Sequence, residues 1–156
     1  MKKLLVLAAL AGAAVLVLCQ AVPYGRNHVN PPVVSEPRWD SPATRALVKR
    51  ACFDCHSNET VWPWYSRIAP ASWLVYFDVV AARKKLNFSD WQNGRREGED
   101  EKAIAHEVGK GEMPPLRYVL AHPGAKLGAA ERQQLIDGLR RTLAPPAASP
   151  TGPAVR

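Results

Sequence analysis

A short segment near the middle of the chain, Cys52-Phe53-Asp54-Cys55-His56, combines two thiols and an imidazole at the spacing of one helical turn. Positions i, i+3 and i+4 of a helix lie on one face, so we expect Cys52, Cys55 and His56 to point the same way. This C-x-x-C-H spacing is typical of covalent attachment of c-type haem. Two thiols so placed can add to the two vinyl groups on one porphyrin edge, and His56 then lies under the ring as the proximal ligand of the iron.

Other chemistries of this motif fit the sequence less well. A structural zinc site needs four ligands, and no second Cys or His pair stands at a similar spacing. A redox-active C-x-x-C is expected within a thioredoxin-like βαβ pattern, which the chain lacks. A disulfide across so short a loop would leave His56 unexplained. The predicted cofactor is therefore one haem c, with its iron, per chain.

Met113 is the predicted distal ligand of that iron. Apart from the initiator it is the only methionine of the chain, and it stands directly before Pro114 and Pro115. The two prolines fix their own φ angles and stiffen the loop that carries the thioether. The alternative is a methionine that fills a gap in the core. We expect iron ligation, because a methionine followed by two prolines at a helix end is a poor core position.

Three histidines compete with this methionine. His122, in an Ala-His-Pro turn, is the alternative distal ligand. His106 lies inside a predicted helix but off its apolar edge, so we expect it to be solvated. His28 falls in the segment before the main domain, where a role as a ligand is not expected.

Four large aromatic residues soon after the motif are candidates for the wall of a haem pocket. They could also donate an indole or hydroxyl hydrogen bond to a propionate. Ordinary core packing is an equally good interpretation, and the two are compatible. These residues are Trp62, Trp64, Tyr65 and Trp73.

The charge balance is basic, with 21 Lys and Arg against 14 Asp and Glu, a formal charge of +7. Basic side chains could neutralise haem propionates or form a docking face for an acidic redox partner. No basic aromatic surface pattern or known motif suggests that the chain binds nucleic acid. The basic residues considered for these roles are Arg67, Arg83, Lys84 and Lys85, whereas Arg95 and Arg96 are assigned to a solvated loop.

The N-terminus carries an export signal. Lys2 and Lys3 precede Leu4 to Leu18, a run without charged residues, and this order is typical of a Sec-type signal peptide or signal anchor. Residues 4–22 are just long enough to cross a bilayer. We expect a retained anchor in the inner membrane and a domain in the bacterial periplasm, with cleavage after Ala21 as the alternative. Export agrees with the haem motif, because thioether attachment is made outside the cytoplasm.

The length of 156 residues supports one domain with a single core. Proline-rich stretches flank the middle of the chain and indicate extended or disordered segments. The predicted organisation is a signal or anchor at 1–22, a tether at 23–40, a haem-binding domain at 41–144 and a disordered tail at 145–156.

Helix signals recur within the central domain, and strand signals are weak. Ser41-Pro42 reads as an N-cap followed by proline at the first helical position. Gly109 and Gly111 end a helix, and Glu131 is placed to bond back to the start of the last one. The predicted helices cover 42–51, 71–85, about 100–108 and about 128–143.

Apolar spacing supports two of these helices. In the second helix, Trp73, Phe77 and Val80 fall at i, i+4 and i+7. In the last helix, one apolar edge is formed by Leu135, Leu139 and Leu143. The predicted fold class is therefore all-α, with helices wrapped around one covalent haem.

Several motifs together resemble the bacterial haem-binding domain family, a cytochrome c-like and exported family. The resemblance covers about residues 25 to 143 and implies thioether links at Cys52 and Cys55, with His56 as proximal and Met113 as distal ligand. The motifs are Asn30-Pro31-Pro32-Val33, Cys52 to Glu59, Trp62-Pro63-Trp64-Tyr65, Ile68-Ala69-Pro70, Ser72-Trp73-Leu74-Val75, Leu86-Asn87-Phe88-Ser89 and Gly111 to Pro115.

One-electron transfer to and from redox protein partners is the function these features favour. A His/Met pair makes iron six-coordinate and raises its potential. An electron carrier rather than an enzyme is expected, since the chain shows no Ser/His/Asp set, phosphate loop or carboxylate pair. The alternative is a haem sensor or a peroxidase-like protein in which Met113 is absent from the iron or is displaced, with His122 as a distal base.

Overall fold

The computed structural model describes residues 1–93 and 101–143, and every regular element in those two ranges is helical. The all-α prediction is therefore confirmed for the described residues. The predicted loop at Arg95 and Arg96, and the predicted tail at 145–156, lie outside them. The elements are α1 (Lys2–Cys19), α2 (Pro42–Ala51), α3 (Phe53–His56), a 3₁₀ turn (Trp64–Arg67), α4 (Ala71–Lys85), α5 (Glu101–Lys110), α6 (Leu116–Ala121), a second 3₁₀ turn (Pro123–Ala125) and α7 (Ala129–Leu143).

The helix ends follow the capping residues of the sequence. Ser41 Oγ accepts a hydrogen bond from Thr44 N at 3.2 Å at the start of α2. Glu131 Oε2 accepts one from Gly128 N at 2.9 Å, as predicted for α7. Helix α5 ends before Gly111, whose φ of +77° is a conformation that glycine adopts at little cost.

Helix α7 packs against both α5 and α2, and the main core lies between them. The predicted apolar edge of α7 is confirmed, since Leu135, Leu139 and Leu143 are all buried. Buried Phe53, in α3, and buried Phe88, just after α4, extend the core away from α7. The core side chains are Leu47, Val48, Ala51, Phe53, Leu86, Phe88, Ile104, Ala105, Val108, Leu127, Leu135, Ile136, Leu139 and Leu143.

The helix predicted at 71–85 is confirmed with the same bounds, but its apolar spacing does not mark the face that packs. Phe77 is 59 % exposed, and the buried residues of this helix are Ser72 and Val79 instead. Helix α4 is apolar on nearly every side, so the spacing of its apolar residues could not single out the face that packs.

Residues 23–40, predicted to be a tether, run without a helix over the surface of the domain. Val34 N donates to Ser89 O at 2.8 Å, and Trp91 N donates to Ser35 O at 3.0 Å. Trp39 packs against the core, with its ring 5.5 Å from that of Phe88. This segment is therefore held to the folded domain along its length and is not a free linker.

Helix α1 stands apart from the core. Its 18 residues have a mean hydropathy of 2.2, and none of them is buried. Among the described residues it is the one helix long and apolar enough to cross a membrane, as a signal sequence or an anchor would.

Candidate functional site

The Cys52–His56 segment forms the single turn that the spacing predicted. Cys55 N and His56 N both donate to Cys52 O, at 3.1 and 2.8 Å. Phe53 enters the core, where it is 2 % exposed and its ring stacks 5.9 Å from that of Phe88. The core thus fixes the turn from one side, while Cys52, Cys55 and His56 line a cavity on the other.

The imidazole of His56 is oriented by the backbone at the end of α4. Its Nδ1 lies 3.0 Å from Leu86 O. A carbonyl oxygen only accepts, so this bond places the ring proton on Nδ1 and the lone pair on Nε2. Phe88 N in turn donates to His56 O at 2.8 Å. Residues 86–88 therefore hold both the main chain and the ring of this histidine.

The cavity beside the turn has a volume of about 580 Å³. This lies within the range of about 300–1,000 Å³ common for cofactor pockets. Helices α3 to α6 all contribute to its wall, and Ala51 and Leu139 complete it from α2 and α7. The apolar side chains that line it are Ala51, Val61, Pro63, Leu74, Val75, Val79, Ala81, Ala82, Leu86, Phe88, Ala103, Ile104, Val108, Met113, Pro114, Pro115, Ala121 and Leu139.

Both predicted distal ligands, Met113 and His122, line this same cavity. Met113 is half-buried and packs against the core, and its N–H, like that of Glu112, donates to Glu107 O. The His122 ring stacks on that of Tyr118 at 4.3 Å, and its Nδ1 lies 3.1 Å from Tyr118 O. The fold thus brings His56 and both candidates to one space.

Burial raises the pKa of Cys52 to about 12. It also raises the pKa of Cys55 to about 11, with a further contribution from the neighbouring Asp54 carboxylate. Both groups are therefore protonated thiols at neutral pH, and they form no disulfide with each other.

Tyr118 and Asp54 also line the cavity, and they form a contact that the sequence did not indicate. The Tyr118 hydroxyl donates to Asp54 Oδ2 at 2.7 Å, and Val61 N donates to Asp54 Oδ1 at 2.9 Å. Burial and the hydrogen bond to the Asp54 carboxylate both raise the pKa of Tyr118. This contact joins helices α3 and α6, which are distant in sequence, so no local pattern could have revealed it.

A protein-family model described as a haem-binding domain matches residues 14–141, which is most of the chain. The chain belongs to the haem-binding domain family. No curated protein and no solved structure matches it significantly. Haem binding by this chain follows from the family, and the resemblance seen in the sequence motifs is confirmed.

The residues that line the cavity of this haem-binding domain fit a haem, which is the group that the family name implies. An imidazole with its proton held on Nδ1 is the donor that iron needs, and the cavity wall beside it is largely apolar. Two free thiols on the same turn, not joined in a disulfide, are the groups that a covalent attachment needs. Cys52, Cys55 and His56 would hold the haem, and Met113 and His122 are further side chains of the cavity that could bind its iron.

Of the four aromatic residues predicted as a pocket wall, Tyr65 lines the cavity, and Trp62, Trp64 and Trp73 are not among its lining residues. Trp62 stacks on His28 at 4.5 Å. Trp64 is 75 % exposed.

The basic residues considered in the sequence analysis have separate roles. Lys85 lines it, whereas Arg67 and Lys84 are exposed elsewhere. The Arg83 guanidinium binds the protein itself. It donates to Ser57 O at 2.7 Å, to Thr60 Oγ1 and Asn30 Oδ1 at 2.8 Å each, and to Val29 O at 3.3 Å.

An ion pair that the sequence analysis missed borders the cavity. Arg117 of α6 makes a two-point contact with Asp78 of α4, with Nε–Oδ2 at 3.1 Å and Nη2–Oδ1 at 2.9 Å. Both residues line the cavity. The pair joins α4 to α6 directly.

Proposed function

We propose that this haem-binding domain is an exported c-type cytochrome with one haem, and that it carries single electrons between redox proteins. The observation that supports this best is the placement of two thiols and an oriented imidazole on one turn at the cavity wall. Cys52 and Cys55 would form the thioether links, and His56 would be the proximal ligand.

Thioether formation needs no oxidant or reductant. Each thiol would add across one vinyl double bond, so that the S–H bond and the C=C π bond would be lost while a C–S bond and a C–H bond form. Cys52 and Cys55 are both free, so each has the thiol that the addition would use. The two additions would fix one porphyrin edge to α3.

The iron, when bound, would supply the one-electron redox chemistry. His56 would bind it through Nε2 and Met113 through its thioether, which favours the ferrous state. The apolar wall would exclude water and would disfavour the additional charge of oxidised iron, which would also favour the ferrous state.

A periplasmic location with an inner-membrane anchor is part of this proposal. Helix α1 is apolar throughout and follows two lysines, which suits export. Gln20, just beyond α1, is hydrogen-bonded to Ala69 of the domain. This contact supports retention of α1, because cleavage after Ala21 would remove it. Redox proteins are the proposed partners, with no role for nucleic acid.

A second candidate function is a haem sensor or peroxidase-like protein. The observation in its favour is that His122 lines the cavity together with Met113. If Met113 left the iron, a small ligand such as peroxide or carbon monoxide would bind in its place, and His122 would be available as a base.

The covalent link is tested by producing the full chain in a host that matures c-type cytochromes. We expect haem to stay with the polypeptide through acid–acetone extraction and denaturing electrophoresis, and both thiols to resist alkylation. A Cys52→Ala, Cys55→Ala double variant should lose its haem in the same procedure. A colourless wild-type band with both thiols alkylated would disprove the c-type assignment.

Carbon monoxide separates the two functions. Slow or absent binding to the reduced protein supports the electron carrier, whose sixth position is filled. Rapid and tight binding supports the sensor or peroxidase.

A further inference from the structure

Gln20 pairs with the main chain of the haem-binding domain at two points. Its Nε2 donates to Ala69 O at 2.8 Å, and its Oε1 accepts from Ala69 N at 3.0 Å. We call this pair of bonds the Gln20–Ala69 clamp. The same Nε2 donates to Leu16 O of helix α1 at 2.8 Å, so the amide connects the helix directly to the domain.

Neighbouring residues strengthen this clamp. Arg26 Nη2 donates to Gln20 O at 2.7 Å and to Gln20 Oε1 at 3.1 Å. Tyr24 packs edge-on against Tyr76 of α4, with ring centroids 5.3 Å apart. The chain that leaves α1 is therefore held against the start of α4.

The clamp gives the domain a defined position relative to a bilayer. At about 1.5 Å per residue, α1 is about 27 Å long, close to the roughly 30 Å thickness of the hydrocarbon layer. If α1 spans the membrane, Gln20 lies where the helix leaves the lipid. Ala69 is bonded to Gln20 and must lie at that same interface.

Exposed apolar side chains cluster along the chain on both sides of Ala69. Ile68 is adjacent and 48 % exposed, and Trp64, in the preceding 3₁₀ turn, is 75 % exposed. In the second turn of α4, Phe77 is 59 % exposed and is not among the residues that line the cavity. We call Trp64, Ile68 and Phe77 the lipid-facing patch.

The composition around this patch suits a lipid headgroup region. Tryptophan and tyrosine are enriched at membrane interfaces, and Trp64 is joined there by Tyr24, which is 48 % exposed. Arg26 and Arg67 are exposed and flank the same region of the chain, where they can meet anionic lipids.

We propose that the domain rests on the membrane surface through the lipid-facing patch, held in that orientation by the Gln20–Ala69 clamp. The inference rests on the proposed retention of α1 and is independent of the electron-transfer function. It makes the chain a surface-docked domain. Leu74, three residues before Phe77 on α4, lines the cavity, so the cavity lies close to the patch.

Spin labels in vesicles of phosphatidylethanolamine and phosphatidylglycerol test this orientation. The full haem-loaded chain, with Cys19→Ser, carries one label at Phe77→Cys or, as the control, at exposed Gln134→Cys on α7. Oxygen reports lipid contact, and a water-soluble nickel chelate reports water contact. We expect a several-fold higher ratio of oxygen to nickel accessibility at position 77 than at position 134. Equal ratios would overturn the proposal.

A clamp variant completes the test. Gln20→Ala should lower the ratio of oxygen to nickel accessibility at position 77 toward that at position 134 while the chain stays in the membrane. An unchanged ratio would show that the Gln20–Ala69 clamp does not hold the domain in this orientation. Spin–spin broadening at position 77 would assign the patch to a second copy instead of lipid. Intact mass of the same sample reports whether α1 is retained and whether haem is attached, so failure of the inference is distinct from failure of the proposed cytochrome chemistry.

Discussion

The Tyr118 hydroxyl lies 2.7 Å from Asp54 Oδ2, and this bond joins helix α6 to the turn that carries the C-x-x-C-H motif. Helix α6 begins just after Met113-Pro114-Pro115. The turn with the proposed proximal ligand and the segment that follows the proposed distal ligand are therefore fixed to each other by one hydrogen bond at the cavity wall.

Tyr118→Phe removes this bond and leaves the ring in place. Because a hydrogen bond to a charged acceptor contributes about 1.5–3 kcal/mol, we expect the free energy of unfolding to fall by about that amount. Chemical denaturation of the haem-loaded chain measures it. Tyr65→Phe is the matched control, since Tyr65 lines the same cavity and its hydroxyl makes no hydrogen bond within the described residues. Equal losses in the two variants would show that the Asp54 bond contributes nothing.

Met113→Ala tests the distal ligand. We expect the near-infrared band from sulfur-to-iron charge transfer to vanish in the oxidised protein, and carbon monoxide to bind rapidly to the reduced protein. Met113→His should keep the iron six-coordinate and lower the reduction potential, by part of the roughly 0.8 V range that axial ligands control. His122→Ala is the control and should keep the band. Survival of the band in Met113→Ala would assign the sixth position to another residue.

Glu36→Gln tests an ion pair at the edge of the core. Glu36 contacts Arg45 through two bonds of 2.6 and 2.8 Å, and it accepts a third from Trp39 Nε1 at 2.7 Å. The Arg45 guanidinium lowers the pKa of Glu36 against the opposing effect of partial burial. A lowered carboxyl pKa stabilises the folded chain above the unfolded-state value of about 4.3, and this contribution is lost as the pH falls through the lower folded-state value.

The expected loss for Glu36→Gln is about 0.5–1 kcal/mol at neutral pH, and the difference from wild type should vanish in acid. Denaturation curves over a pH series measure it. Glu59→Gln serves for comparison, because Glu59 has only a 3.5 Å contact with the half-exposed Lys49. A loss for Glu36→Gln that stayed constant down to low pH would contradict the ionic origin.

Gly138→Ala tests the close packing of α7 against α2. A Cβ at this position would meet Thr44 Cγ2 at 2.7 Å and Thr44 Cβ at 2.9 Å, and would overlap Thr44 Oγ1. Overpacking of this kind costs about 1–3 kcal/mol, measurable by chemical denaturation. Adding Thr44→Ala removes Oγ1 and Cγ2 and should recover part of the loss. Gly124→Ala, with open space around its Cβ, should change stability little, and an equal loss there would rule out the packing explanation.

Local signals predicted the helix ends well. Ser41, Glu131 and Gly111 act on the backbone within a few residues, so their effect is visible in the sequence itself. The C-x-x-C-H turn belongs to the same class, because its geometry follows from one hydrogen-bonded turn.

Features that depend on distant contacts could not be predicted. Nothing near Tyr118 indicates that it bonds Asp54, and the uniform apolar character of α4 hid the exposure of Phe77. The proline-rich segment before α2 was predicted to be a tether because few of its apolar residues recur at a regular spacing. Its order comes from contacts such as Val34 N to Ser89 O, which only the folded domain supplies.

The four bonds of Arg83 join Val29 and Asn30, in the stretch after α1, to Ser57 and Thr60 beside the C-x-x-C-H turn. Because that stretch packs on the domain, only a short part of it can act as a flexible linker. A retained α1 would therefore keep the cavity at a constant height above the bilayer. Any electron donor or acceptor would have to travel to it, either by diffusing within the plane of the membrane or by arriving from solution.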